Sequence, residues 1–244
     1  MFWWFLTGTA VITSVVSGVL GMAGGMILLA VMLLRLDPVV AIPVHGVVQM
    51  ASNASRAWFQ RRHVAWAAVW PMLLPLLPAM IAGVLLVSSI PPGGTRVAVG
   101  LFTLLVTWAP GQLAVLTRPR GNPRLGMIWG GALIGFLTPI LGATGLLLVP
   151  FVMALELGTQ ATVGTLAACQ VFQHAGKVLC FGVAGFDVLQ YLFPCLVLCA
   201  AAFAGTWIGT RLLDRVPQRT FKPLVRWVMT GLAVLLIYQG LRPQ

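Results

Sequence analysis

Carboxylates are nearly missing from this chain. Asp37, Glu156, Asp187 and Asp214 are the only four, against fifteen lysines and arginines in 244 residues. That scarcity leaves no acid pair of the kind that would neutralise a cation at membrane depth, so a cation substrate is disfavoured. Charge of either sign is thin, at 8% of residues, where soluble domains carry roughly a quarter. The four cysteines (Cys169, Cys180, Cys195 and Cys199) lie in apolar segments without CxxC spacing. Neither a metal site nor a disulfide framework is indicated, and no cofactor is implied. HExxH, Walker A and GxSxG patterns are absent too, which removes the commonest enzyme signatures. The first residues lack the basic n-region of a signal peptide, and the first apolar run outlasts a typical h-region.

What is abundant is apolar sequence: 59% of residues, with a mean hydropathy of +0.99. Residues 1–34 carry no charge, and further uncharged runs cover 64–95, 97–117 and 125–155. Apolar stretches of ~20 residues cross a bilayer core. The chain reads as an all-α polytopic membrane protein, multi-pass in a bacterial-type inner membrane. The net charge of +11 does not point to nucleic acid, because most basic residues sit between apolar runs, as the positive-inside rule expects. The partners implied are a small anion and the lipid bilayer; a homo-oligomer is compatible with the sequence.

The chain repeats itself at an offset of 121 residues without a gap. "LGMAGGMILLAVMLLRL" (20–36) lies over "LGATGLLLVPFVMALEL" (141–157), with Leu20, Gly21, Gly24, Val31, Met32, Leu34 and Leu36 meeting identical residues. The same offset sets Gln49 over Gln170, Ser52 over Gln173, Asn53 over His174 and Arg56 over Lys177. Residues 1–117 and 125–244 are thus expected to be two related transmembrane repeats, joined by a loop at 118–124, "RPRGNPR". Each half reads as one long glycine-broken segment and three ordinary spans. These fall near 3–36, 38–60, 65–90 and 94–117, then 124–157, 159–183, 187–214 and 221–241. Asp37-Pro38 offers an N-cap with Pro at N1.

Charge decides how the broken segments run. If all eight segments cross once, the basic residues divide 8 to 7 between the two sides. If the first segment of each half is a hairpin that returns to its own side, only Arg35, Arg96, Lys177 and Arg242 lie outside, a division of 11 to 4. The positive-inside rule favours the hairpins. Each half then makes an odd number of crossings, so the halves are inverted repeats with both termini outside. "GMAGG" (21–25) and "PILGATG" (139–145) supply the breaks.

Two groups of residues are candidates for binding. At the breaks, Gly21, Gly24, Gly25, Gly142 and Gly145 would let an anion approach freed amides and helix N-termini; close helix packing is the competing reading. The second group is a polar stripe at helical spacing, His45, Gln49, Ser52, Asn53 and Arg56, with its copy at Gln170, His174 and Lys177. The amides of Gln49, Asn53 and Gln170 and the ring of His174 can donate to an oxyanion, Lys177 can supply charge, and His45 and His174 are of a type that titrates near neutral pH. Against this, Arg56 and Lys177 could snorkel to the surfaces, and the glutamines could be interhelical glue. An intramembrane enzyme would have only His45, His174 and Lys177 as acid–base groups, and a passive scaffold would leave the duplicated stripe without a purpose.

These features resemble the TauE/SafE family of sulfite and organosulfonate transporters. "GMAGGMILL" and "GATGLLLVP" resemble its glycine-rich breaks, while "SNAS" (52–55) and "VGT" (163–165) resemble elements of the helices that follow. His174 stands where the family has an asparagine, and the glycine triplet is reduced in both copies. The resemblance implies secondary transport of a small sulfur-containing anion, bound between the repeats. From the residues themselves the reading reaches only an anion-favouring transporter, with other small carboxylates or oxyanions open.

Overall fold

A chain immersed in lipid must satisfy its own backbone polar groups, and an apolar sequence with this spacing does so as helices. The computed structural model describes residues 2–20, 23–117, 119, 121–212 and 218–242, and among these it contains α-helices and one 3-10 turn but no strand. The helices are α1 (Phe2–Leu20), α2 (Ala23–Leu33), α3 (Pro38–Phe59), α4 (Trp66–Ser88), α5 (Pro92–Trp108) and α6 (Pro110–Thr117). They continue with α7 (Pro123–Leu141), α8 (Gly145–Met153), α9 (Thr159–Val183), α10 (Leu192–Leu212) and α11 (Gln218–Leu241), the 3-10 turn Val188–Tyr191 preceding α10. Among the described residues, four stretches are long and apolar enough to cross a membrane: Trp66–Ser88, Pro123–Leu141, Val188–Gly209 and Phe221–Leu241. This is an all-α polytopic membrane protein.

Local chemistry sets several boundaries. Asp37 caps α3, its carboxylate accepting from the Val39 amide at 3.1 Å, with Pro38 in the first turn. Asn122 and Pro123 do the same for α7, so Pro123 and Arg124 belong to a helix rather than to the expected 118–124 loop. The span expected at 94–117 is broken at Ala109, because Pro110 lacks the amide a continuous helix needs. α7 stops at Gly142, whose φ of +70° is costly for any residue with a Cβ. The chain restarts as α8 three residues later.

Both long first segments are therefore divided, into α1–α2 and α7–α8. α2 has 11 residues and α8 has 9. At 1.5 Å per residue each return arm covers about half of a bilayer core of ~30 Å. Contacts at the ends show where the arms emerge. Arg96, at the start of α5, donates to the carbonyls of Leu33, which ends α2, and of Leu36 just beyond it. Trp3 at the start of α1 meets Tyr191 at 6.2 Å between ring centroids, and Gly93 abuts Gly240 of α11. The start of α1, the end of α2, the α4–α5 turn, the α9–α10 connection and the end of α11 thus share one end of the molecule. Residues Ala65, Arg124 and Leu157 line one cavity at the other end.

Packing partners follow the same pattern in the two halves. α1 packs along α10 and α7 along α4, so each half's opening helix lies on a span of the other half, while α3 pairs with α9 and α5 with α11. Small residues permit these approaches: Gly131 and Gly135 of α7 face the α4 backbone, and Gly205 and Gly209 of α10 face that of α1. Leu28, Leu29, Met32, Ile42, Met72, Met80 and Ile134 fill the centre, whereas Trp70, Leu74, Trp129, Phe193 and Trp227 point outward on a surface suited to lipid.

Candidate functional site

The middle of the molecule is where the two hairpin tips meet the two polar helices. α3 and α9 run antiparallel, with His45 beside Lys177 near the middle and Ala65, beyond α3, bonded to Thr165 at one end. Helical spacing places His45 and Gln49 one turn apart on α3, and Gln170, His174 and Lys177 on successive turns of α9. All five are buried.

Each glutamine is pressed against a hairpin glycine. A Cβ on Gly25 would stand 3.0 Å from Gln49 Nε2, and one on Gly145 would stand 3.1 Å from Gln170 Cδ. Gly25, His45, Gln49, Gly145, Gln170 and His174 line one small cavity of about 20 Å³, together with Met26, Ala143 and Leu146. That is room for about one water molecule. The His45 and His174 rings meet edge to face at 5.8 Å, and His174 Nδ1 is buried without a hydrogen-bond partner among the described residues. Gly145 and Leu146 belong to the first turn of α8, where amide N–H groups have no acceptor within the helix.

The other candidates lie around this cavity rather than on it. Lys177 Nζ donates to the Gly142 carbonyl at 2.8 Å and lies 3.2 Å from His45 Nδ1, and it is fully buried, so it does not snorkel. Gly142 therefore contributes its carbonyl. Asn53 turns away: Nδ2 donates to the Gln49 carbonyl at 2.8 Å and Oδ1 accepts from Arg56 at 2.7 Å. Gly24 packs on Thr13 and Ser17 of α1, the helix-packing role weighed for it above. Gly21 falls outside the described residues.

Sequence reasoning passed over Gln173. Its Nε2 donates to Thr138 Oγ1 at 2.9 Å and to Thr144 Oγ1 at 2.7 Å, and these hydroxyls lie 2.6 Å apart. α9 is thereby bolted to both sides of the second break. The signal was available, since Gln173 stands over Ser52 in the repeat, and Ser52 likewise bonds outward, to Thr206 of α10 at 3.1 Å. The apolar lining by Met26, Ala143 and Leu146 had no such signal.

A polar, carboxylate-free centre between two glycine-broken hairpins is the arrangement on which the family comparison bears. The family model described as sulfite exporter TauE/SafE matches residues 6–236. The chain belongs to that family. Its members are multi-pass inner-membrane transporters, so this family member is a transporter and not an enzyme. No curated protein and no solved structure matches the chain.

Proposed function

We propose that this transporter carries a small sulfur-containing anion, of the sulfite or organosulfonate class, bound between its two repeats at the cavity of Gly25, His45, Gln49, Gly145, Gln170 and His174. The observation that carries the reading is the pairing of two amide side chains with two hairpin glycines around one cavity. An SO3 group presents three oxygens about one axis. Two glutamine amides, an imidazole and the first-turn amides of α8 are donors suited to it, and among the described residues no carboxylate lines the cavity.

Access fits alternating exposure of that centre. At the end shared by the two termini, a cavity of about 310 Å³ is lined by Asp37, Thr95, Asp187 and Tyr191 and descends to Ile42 and Phe181. Ile42 lies one turn from His45, and Phe181 one turn from Lys177, so the apolar floor of this vestibule comes within about one helical turn of the centre. With room for about one water, the centre is too small for an SO3 group as it stands, and an anion requires the helices to part. The 11-to-4 charge division and the sharing of one end by both termini support repeats 1–117 and 125–244 that are inverted about the site, with the vestibule outside.

The test is binding of an anion panel to purified protein in detergent, followed by flux in proteoliposomes. Sulfite and methanesulfonate should bind and cross, with acetate and phosphate at least tenfold weaker. A carboxylate that outcompetes both sulfur oxyanions would overturn the substrate class.

A further inference from the structure

Lys177 has surroundings that are unusual for a cation at this depth. Its stem lies across Gly46, where a Cβ would stand 2.7 Å from Lys177 Cε. Its nitrogen is held by two acceptors, the Gly142 carbonyl at 2.8 Å and His45 Nδ1 at 3.2 Å. His45 Nε2 in turn lies 2.9 Å from the Gly25 carbonyl. A carbonyl only accepts, so Nε2 bears a proton; Nδ1 facing an ammonium must offer its lone pair. A neutral amine still has two N–H groups, which match the same two acceptors. The clasp between the hairpins is therefore complete with or without one further proton.

Among the described residues, no carboxylate near Lys177 offsets the charge of the protonated form. His174 of α9 faces His45, and Arg56 of α3 is bonded to Asn53. Cys199 of α10 contacts the Val47 carbonyl, and Cys180 lies one turn past Lys177. Arg96 and Arg124 stand at the starts of α5 and α7, whereas α2, α4 and α8 carry no titratable side chain. Asp37 and Asp187 are caps, Glu156 follows α8, and Asp214 lies outside the described residues. A buried charge without a partner is costly; an anion in the adjoining cavity supplies the missing partner. Whatever favours the anion with the proton present must equally favour the proton with the anion present.

We propose that the His45–Lys177 pair is the binding site of a co-transported proton, one proton travelling with each monoanion. This rests on the transport reading above and adds the coupling ion to it.

Methanesulfonate is the suitable probe, because it stays a monoanion and brings no titrating proton of its own. Calorimetric titration of the full-length protein in two buffers of different ionisation enthalpy counts the protons taken up on binding. About one proton per methanesulfonate is expected, with affinity falling about tenfold per pH unit once the pair loses its proton. Lys177→Arg keeps a charge at every pH and should bind with no proton uptake and a flat pH profile. Methanesulfonate binding without proton uptake at any pH, and with an affinity that does not fall as pH rises, would overturn the coupling while leaving the transport reading intact. Uptake that persists in Lys177→Arg but vanishes in His174→Asn would move the proton to His174 and overturn the assignment. If neither methanesulfonate nor sulfite binds, the transport reading falls and takes this proposal with it. Should Lys177→Arg not fold, the proton count in His174→Asn decides: uptake that persists there supports the pair, and uptake that vanishes overturns the assignment.

Discussion

Gly24 and Gly25 are chain neighbours, yet alanine at each should damage a different property. A Cβ on Gly24 would overlap the carbonyl oxygen of Thr13, an atom fixed in the backbone of α1. α2 must then lift from α1, and overpacking of that kind costs ~1–3 kcal/mol, offset in part by the ~0.5–1 kcal/mol that alanine gains in a helix. A Cβ on Gly25 meets only the amide end of Gln49, at 3.0–3.2 Å. That end can swing aside, so stability should hardly change. The same swing moves the Gln49 donor and fills a cavity of about 20 Å³. Losing one hydrogen bond to a charged ligand removes ~1.5–3 kcal/mol, which weakens anion binding by about tenfold to about a hundredfold. Thermal unfolding followed by size-exclusion fluorescence and calorimetric titration with sulfite separate the two outcomes. Gly24→Ala should melt earlier, and Gly25→Ala should melt normally and bind poorly. Equal destabilisation of both variants, with unchanged binding in Gly25→Ala, would refute the division of roles.

Gln49→Ala and Gln170→Ala should each weaken sulfite binding by about tenfold or more, whereas Asn53→Ala, whose amide is spent on its own helix and on Arg56, should mainly lower thermal stability. Single cysteines at 121 and 242 in an otherwise cysteine-free protein should label from opposite faces of the membrane; labelling from the same face would defeat the inverted arrangement. Phe181→Ala thins the vestibule floor to Ile42 and should speed sulfite exchange across proteoliposomes, while an unchanged rate would place the route elsewhere.

Much of this architecture was legible because lipid removes alternatives. Uncharged runs have to be helices, and the offset of 121 carries the limits of α1 onto those of α7 and the start of α3 onto that of α9. The breaks were legible as glycine clusters, but their geometry was not. Gly145 stands over Gly24 in the repeat and yet takes in space the place of Gly25, against a glutamine. α2 begins at Ala23 and α8 at Gly145, a slip of one residue against the offset. Helical phase is not carried across irregular backbone, so sequence register identifies which segments correspond without deciding which of two adjacent glycines faces the cavity. Asn53 shows a related limit. It lies on the right stripe, but a short amide can bond its own helix, four residues back, and so turn from the centre.

The departures from the repeat say more about mechanism than the matches do. Gln49 and Gln170 correspond, and each packs on its own half's hairpin glycine, so the amide donors come as a pair. The cationic groups do not pair in this way. His45 stands over Leu166, and Lys177 over Arg56, which lies nearer the end of α3 and bonds Asn53. In the clasp the first half supplies the imidazole of His45 and the second the amine of Lys177, and they meet at 3.2 Å, tied to Gly25 of one hairpin and Gly142 of the other. Two nitrogens that share one hydrogen bond can hold at most a single positive charge between them. Two like donors around one charge suit one monoanion, and a clasp that spans both hairpins ties that charge to the movement of each against the other.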